Sequence, residues 1–346
     1  MPTGLVMRST GSRYRVRAGD GTQHDCVAKG SLRIKGYTST NPLAVGDRVE
    51  FVPQASAEEV GAITKLHDRR NYIIRRSVNL SHHKHVIAAN MDQALLIATV
   101  ASPRTSFGFI DRFLVTAEAY SVPCILVLNK LDACNDAERL MLDAYKNTYE
   151  GAGYNVLLTS ATMGVGILAV KALLQHKVTL LAGHSGVGKS TLINAIDPSL
   201  DLWTQEISES SDKGMHTTTF AEMFELQAAE ETRLSVVGSQ LSLVPATTLT
   251  DNRQPTTDNN HPTFIIDTPG VKGFGLVDMS PDEIVDQFPE MFKLKNTCRF
   301  NNCKHLEEPG CAVKTAVENG EIAPSRYTSY VDMVNGVEDE GSYRLG

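Results

Sequence analysis

The sequence predicts a chain of three parts: a small β-barrel, a central α/β domain on a mostly parallel sheet, and a short helical tail with clustered cysteines. Three observations carry this prediction. The first 70 or so residues run in short alternating segments broken by turn signals; from about 91 to 280, apolar runs alternate with helix-like stretches; and Cys298, Cys303 and Cys311 fall close together. A chain of 346 residues is too long for one small domain, and 42% apolar residues is ordinary for a globular protein.

The N-terminal part reads as strands at Tyr14-Arg15-Val16-Arg17 and Val49-Glu50-Phe51-Val52, with Asp20-Gly21 and Gly46-Asp47 as turns. An OB-type barrel is the first choice, although spacing alone does not separate it from an SH3-like one. Residues 1–90 hold 14 Lys and Arg against 7 Asp and Glu, whereas the rest of the chain holds 19 against 33. A basic first quarter suits contact with a polyanion such as RNA; a solvated basic face explains the count equally well. Residues 71–90 read as a linker, preceded by Arg69 and Arg70 and carrying Arg75, Arg76 and the cluster His82, His83, Lys84 and His85, a solvated or RNA-facing loop in preference to a metal site. Met1–Thr10 lack the apolar run of a signal peptide, and Ala94–Ala101 is far short of the ~20 residues that span a bilayer. A soluble, cytoplasmic, monomeric protein with no membrane partner is expected.

In the central part strands are expected at 93–100, 123–128, 155–159, 177–182 and 263–267, and helices at 109–120, 136–151, 165–175 and 189–196. Repeated βα units imply a doubly wound sheet. Residues 228–262, rich in Thr, Ser, Asn and Gln with Pro245, Pro255 and Pro262, read as a long, partly disordered surface insertion. The tail after 281 reads as helical, fraying from about 336.

Gly183-His184-Ser185-Gly186-Val187-Gly188-Lys189-Ser190 fits the phosphate-loop pattern in full, between an apolar strand and a helix that begins at Thr191. Its glycines let backbone amides converge on phosphate oxygens, and the helix N-terminus adds a favourable dipole. Lys189 is expected on the β and γ phosphates, and the Ser190 hydroxyl on Mg²⁺. Asn129-Lys130-Leu131-Asp132 follows another buried strand. A carboxylate at Asp132 can accept two hydrogen bonds from guanine, whereas adenine would leave it desolvated and unpaired. Lys130 can cover the base, and Asn129 can tether neighbouring loops. Ser160 and Ala161, after the strand that ends near Leu158, suit a loop whose amide meets the guanine oxygen.

Two further segments suit γ-phosphate sensing. Asp267-Thr268-Pro269-Gly270 ends a strand, so Asp267 can hold Mg²⁺ through water and the Gly270 amide can meet the γ-phosphate. Gly214-Met215-His216-Thr217-Thr218-Thr219 offers Thr217 or Thr218 as a Mg²⁺ ligand, and the sequence does not choose between them; the threonines could equally begin a plain strand. In the tail, Cys298, Cys303, His305 and Cys311 supply three thiolates and an imidazole, which suits a closed, structural, tetrahedral Zn²⁺ site.

The order of these motifs is rearranged: the base motifs at 129 and 160 precede 183, 214 and 267. That order resembles the circularly permuted GTPases. With the β-rich N-terminus, Asn71-Tyr72-Ile73-Ile74-Arg75-Arg76, the Gly-x-His-Thr-Thr string and the cysteine-rich tail, the chain is similar to the RsgA or YjeQ family. The resemblance implies an OB domain over 1–75, a permuted GTPase domain over 76–280 and a zinc domain over 281–346. It also implies a GTPase of late small-ribosomal-subunit maturation, with GTP, GDP, the subunit and its rRNA as partners. The 228–262 insertion is longer than the short hairpin expected there. Val271 stands where many GTPases place a water-orienting glutamine, so intrinsic hydrolysis is expected to be slow, and His216 is the candidate for orienting water. A structural or RNA-contacting His216 is the competing reading. A nucleotide-controlled scaffold, with hydrolysis only triggering release, is the alternative for the whole chain.

Overall fold

The computed structural model describes residues 1–30, 32, 42–54, 59–76, 84–200, 221–227, 233–237, 240–244, 262–268 and 279–337. Five strands open the chain: β1 (Thr3–Ser9), β2 (Tyr14–Ala18), β3 (Gln23–Ala28), β4 (Arg48–Val52) and β5 (Gly61–Leu66). They pair in the order β1-β2-β3-β5-β4, and β4 returns to β1 at Thr3↔Glu50, closing the sheet. β3 and β5 run parallel; the other neighbours run antiparallel. This is the Greek-key connectivity of an OB barrel, so pairing settles what spacing left open. Period-two alternation sends Val6, Tyr14, Val16, Val49, Phe51 and Ile63 into its interior.

The expected linker contains an antiparallel strand pair, β6 (Tyr72–Arg76) and β7 (Lys84–Ala89). Ile73, Ala88 and Ala89 are fully buried, so apolar burial holds this segment against the next domain. Two arginines that lead into it are committed to carboxylates. Arg69 donates from Nε and Nη2 to Asp47, each at 2.7 Å, and Arg70 pairs with Asp92 at 2.7 Å. The charge count therefore overstates how much positive charge this face offers a polyanion. His82 and His83 lie outside the described residues.

The central domain runs β8 (Gln93–Ala98), α1 (Phe107–Ala119), β9 (Cys124–Leu128), α2 (Asp136–Gly151), β10 (Asn155–Leu158), α3 (Ile167–Leu174), β11 (Val178–Ala182), α4 (Lys189–Ile196), β12 (Glu222–Leu226), β13 (Arg233–Val237), β14 (Gln240–Val244) and β15 (Thr263–Asp267). Strand order is β10-β9-β8-β11-β15-β12, with only β12 antiparallel to its neighbour. Alternate residues of each strand feed opposite faces. Ala94, Leu96, Leu126 and Leu180 pack under α1 and α2, while Leu95, Ile97, Val127 and Leu181 pack under α3 and α4. β13 and β14 form a hairpin inside the expected insertion. Residues 228–232, 238–239 and 245–261 lie outside the described set.

β12 also pairs with β1 at Arg8↔Glu222, so barrel and central sheet are continuous. Four short helices follow: α5 (Pro281–Asp286), α6 (Pro289–Phe292), α7 (Ala312–Glu318) and α8 (Pro324–Val334). Their core is Ile284, Val285, Phe288, Met291, Val313 and Tyr330. Among the described residues no helix is long and apolar enough to cross a membrane.

Candidate functional site

The central strand β11 ends in the glycine-rich loop 183–188, and α4 begins at Lys189. Two glycines there have a steric reason. Gly183 has φ +147° and a Cβ would meet the Ile97 carbonyl oxygen at 2.3 Å; Gly188 has φ +92° and a Cβ would meet Asn129 Nδ2 at 2.6 Å. Ser185, Gly186, Val187, Ser190 and Thr191 complete the loop and the first turn of the helix. Lys189 Nζ donates to the carbonyls of Gly183 and His184, each at 2.8 Å, so its ammonium is held within the loop. Burial lowers the Lys189 pKa, and Asp267 partly offsets this.

Asp267 ends β15, in register with Leu181 of β11. Thr268 Oγ donates to the Leu181 carbonyl at 3.0 Å, fixing the chain just past that aspartate. Asp267 is 8% exposed, and its Oδ1 is buried with no hydrogen-bond partner. Burial pushes its pKa up to about 6, against the pull of Lys189. An orphaned, buried carboxylate oxygen in this position suits a cation, and Mg²⁺ carried by a nucleotide fits. His216, Thr217, Thr218, Gly270 and Val271 lie outside the described residues.

The loop 129–132 leaves β9 beside the phosphate loop. Asn129 Nδ2 donates to the Val187 carbonyl at 3.0 Å, and Asn129 Oδ1 accepts from Thr159 Oγ at 3.0 Å and Ala161 N at 3.3 Å. One buried side chain thus ties together the three loops that follow β9, β10 and β11. Lys130 adopts φ +65°, and its Nζ donates to the Ser102 carbonyl at 2.8 Å. Asp132 accepts from the Ser160 hydroxyl, and from Thr162 Oγ at 3.0 Å. These hydrogen bonds, Ser160 foremost, hold the Asp132 carboxyl below its usual pKa, so it is an anionic acceptor at neutral pH.

The second site lies in the helical lobe. The ligand atoms of Cys298, Cys303, His305 and Cys311 all lie within 4.8 Å of one another. His305 Nδ1 is 3.5 Å from Cys298 Sγ and 3.4 Å from Cys311 Sγ. A tetrahedral Zn²⁺ with its usual bond lengths would separate sulfur and nitrogen by roughly 3.6 Å, so this donor set fits the ion. Ala312 N and Lys314 N donate to Cys298 and Cys311 Sγ, each at 3.4 Å. Burial, with Cys311 and Cys298 alongside, pushes the Cys303 thiol up to about 12, a cost that a divalent cation would remove. His305 sits at φ +59°, and its carbonyl accepts from Tyr327 Oη at 2.7 Å.

Residues 3–63 match the RsgA N-terminal domain, and residues 66–231 match the RsgA GTPase family. The chain is 48% identical to a small ribosomal subunit biogenesis GTPase RsgA of Flavobacterium psychrophilum, over 99% of this chain and 94% of that one. It is 49% identical to the RsgA 2 of Bacteroides thetaiotaomicron, over 99% and 98%. The chain belongs to the RsgA GTPase family. Solved structures agree. YjeQ from Thermotoga maritima superposes with a TM-score of 0.69 at 30% identity, covering 97% of this chain and 98% of that one. YloQ, a circularly permuted GTPase, gives 0.65 at 27%, covering 99% and 96%.

Several residues around these RsgA-family sites belong to no sequence motif. Thr162 orients Asp132, and Ser102 anchors Lys130, but neither belongs to a short pattern. Phe109 lies against His184, with ring centroids 3.7 Å apart. Arg326, 1% exposed, is the largest fully buried side chain among the described residues. A hydroxyl two residues past Ser160 was the one available signal; the other contacts come from tertiary packing.

Proposed function

We propose that this chain binds and hydrolyses GTP and couples the cycle to late maturation of the small ribosomal subunit. The observation that carries the reading is the Asn129 bridge. It joins the base-selecting loop to the phosphate loop at 3.0 Å, although the two occur in reversed order along the chain. In this reading Asp132 selects guanine, Lys130 covers the base and the 160–161 loop meets its oxygen. Lys189 and the loop amides hold the phosphates, and Ser190 and Asp267 would hold Mg²⁺, with Thr217 or Thr218 as a further ligand. Mg²⁺ supplies charge neutralisation of the phosphates when bound. His216 orients the attacking water once the switch closes, and Gly270 senses the γ-phosphate. Cys298, Cys303, His305 and Cys311 would hold Zn²⁺, which would brace the C-terminal lobe, and the N-terminal barrel contacts rRNA. The protein works in the cytoplasm as a monomer. The relatives' printed names, which include small-subunit biogenesis, support the choice of partner.

The test is GTP turnover by the purified chain with small subunits, large subunits or buffer. Strong stimulation by small subunits alone is expected; equal rates in the three would sink the coupling and favour a scaffold. His216→Ala should abolish the stimulated rate while leaving nucleotide affinity unchanged.

A further inference from the structure

Helix α1 touches the phosphate loop near its start and the helical lobe along its length. Ser106 caps it, accepting from Phe109 N at 3.1 Å. In its first turns, Phe109 and Asp111 meet different neighbours. The Phe109 ring lies at 31° to the His184 imidazole, with centroids 3.7 Å apart, and the His184 carbonyl is one of the two that receive Lys189 Nζ. Asp111 is fully buried and pairs with Arg326 Nη1 at 2.7 Å. One turn further on, Val115 belongs to the core of the helical lobe. α1 therefore packs under the nucleotide sheet along one face and is part of the cysteine lobe along another.

Arg326 fastens the lobe side. Its Nε and Nη2 donate to Glu290 Oε1 at 2.7 Å and Oε2 at 3.1 Å, so all three guanidinium nitrogens bind carboxylates. The Phe288 ring lies 4.5 Å from the guanidinium carbon. A planar fork buried with this many partners has one geometry, and α1, α6 and α8 share it. The next residue, Tyr327, donates to the carbonyl of the metal-site His305. A contiguous path of packed or bonded groups therefore runs from His184 through Phe109, Asp111, Arg326 and Tyr327 to His305. Close-packed elements pass on a displacement that a loop would absorb.

We infer that Phe109 and Arg326 are positioning residues for GTP turnover. Phe109 seats the phosphate-loop carbonyl that Lys189 uses, and Arg326 fixes α1 against the cysteine lobe, so that occupancy of the loop and the pose of the lobe are coupled. The inference rests on the GTP site proposed above. It gives the RsgA-family arrangement a route between its sites that does not pass through residues 269–278.

The experiment is amide exchange over residues 324–334 of the full, zinc-loaded chain, without nucleotide, with GDP, and with a non-hydrolysable GTP analogue and Mg²⁺. Nucleotide should slow exchange there at least threefold in the native chain. Phe109→Ala should cut that difference by more than half with zinc still at one per chain, and Phe109→Tyr should keep it. Arg326→Lys keeps the charge but loses the fork; it should raise KM for GTP severalfold with a smaller change in kcat. Native exchange that ignores a bound nucleotide, or an undiminished difference in Phe109→Ala, overturns the coupling. A native chain that binds no guanine nucleotide overturns the GTP reading itself, which fluorescent-GDP titration shows separately.

Discussion

The nucleotide site and the cysteine cluster are completed to different degrees. The cluster draws four donors from a span of fourteen residues, brings them within 4.8 Å of one another and already points two backbone amides at its sulfurs. Nothing more is needed than one ion. Among the described residues of the nucleotide site, Asn129 and Asp132, on the proposed base side, have their hydrogen bonds in place. On the phosphate side Lys189 bonds its own loop, and Asp267 keeps an unpartnered oxygen. A site that keeps its ligand can close its donor set. A site that must release its ligand every cycle holds donors in reserve, and a buried reserve costs stability.

The largest effects should separate the two sites. Lys189→Ala is expected to weaken GDP and GTP binding by more than about 100-fold, because the ammonium held within the phosphate loop is lost. Zinc content should stay at one per chain. Cys311→Ala is expected to do the reverse: zinc falls to none and the lobe's near-ultraviolet dichroism is lost, while guanine-nucleotide binding weakens by no more than the severalfold expected from loosening the Arg326 clamp on α1. Metal analysis and fluorescent-nucleotide titration check both. Loss of both ligands in either variant would break the separation.

A smaller effect tests the base side. Asp132→Asn replaces an anionic acceptor by an amide, which suits a base with a carbonyl where guanine has its exocyclic amine. GTP affinity should fall by about 100-fold, or roughly 3 kcal/mol, and xanthosine triphosphate should become the better ligand. Competition binding decides it; unchanged preference would remove Asp132 from base selection.

On the phosphate side the comparison predicts a pH dependence. Asp267 is raised to about 6 by burial, above its ordinary 3.8. The folded, magnesium-free chain therefore binds a proton there more tightly than the unfolded chain does. The corresponding stability is present below about pH 4 and is lost as pH rises through about 6. Mg²⁺ competes with that proton, so Mg²⁺-dependent nucleotide affinity should fall as pH drops below about 6, by up to tenfold per unit. Isothermal titration from pH 5 to 8 measures it, and Asp267→Asn should flatten the profile.

The parts legible in the sequence were those whose physics is local. Strand and helix ends between 93 and 196 fall within about two residues of the structure, because a buried parallel sheet writes itself as short apolar runs. Four thiol and imidazole donors spaced for one ion were legible for the same reason. The β6–β7 pair was not, because the few residues it buries, such as Ile73 and Ala88, stand in a stretch whose composition is basic and linker-like. The basic face was overstated because Arg69 and Arg70 find Asp47 and Asp92 only after folding. Arg326 and Phe109 were invisible, since their partners are far away in the chain.

The smallest expected effect concerns how each site holds its backbone. In the nucleotide site, ligand-facing loops are held by neighbouring loops, through Asn129. In the cluster, the His305 turn is held from outside, by Tyr327 Oη on the His305 carbonyl and by Tyr330 Oη on the Lys304 carbonyl at 2.6 Å. A positive φ at a histidine is a sparsely populated conformation, so such a turn needs support. Tyr327→Phe removes one hydrogen bond and keeps the ring, which should cost about 1 kcal/mol. Zinc release to an excess chelator should then quicken by about fivefold, the kinetic equivalent of that loss at 1.4 kcal/mol per decade. Equal release rates would mean that metal bonds alone fix the turn. A faster rate in Tyr327→Phe would place the support for a closed site in the helix behind it.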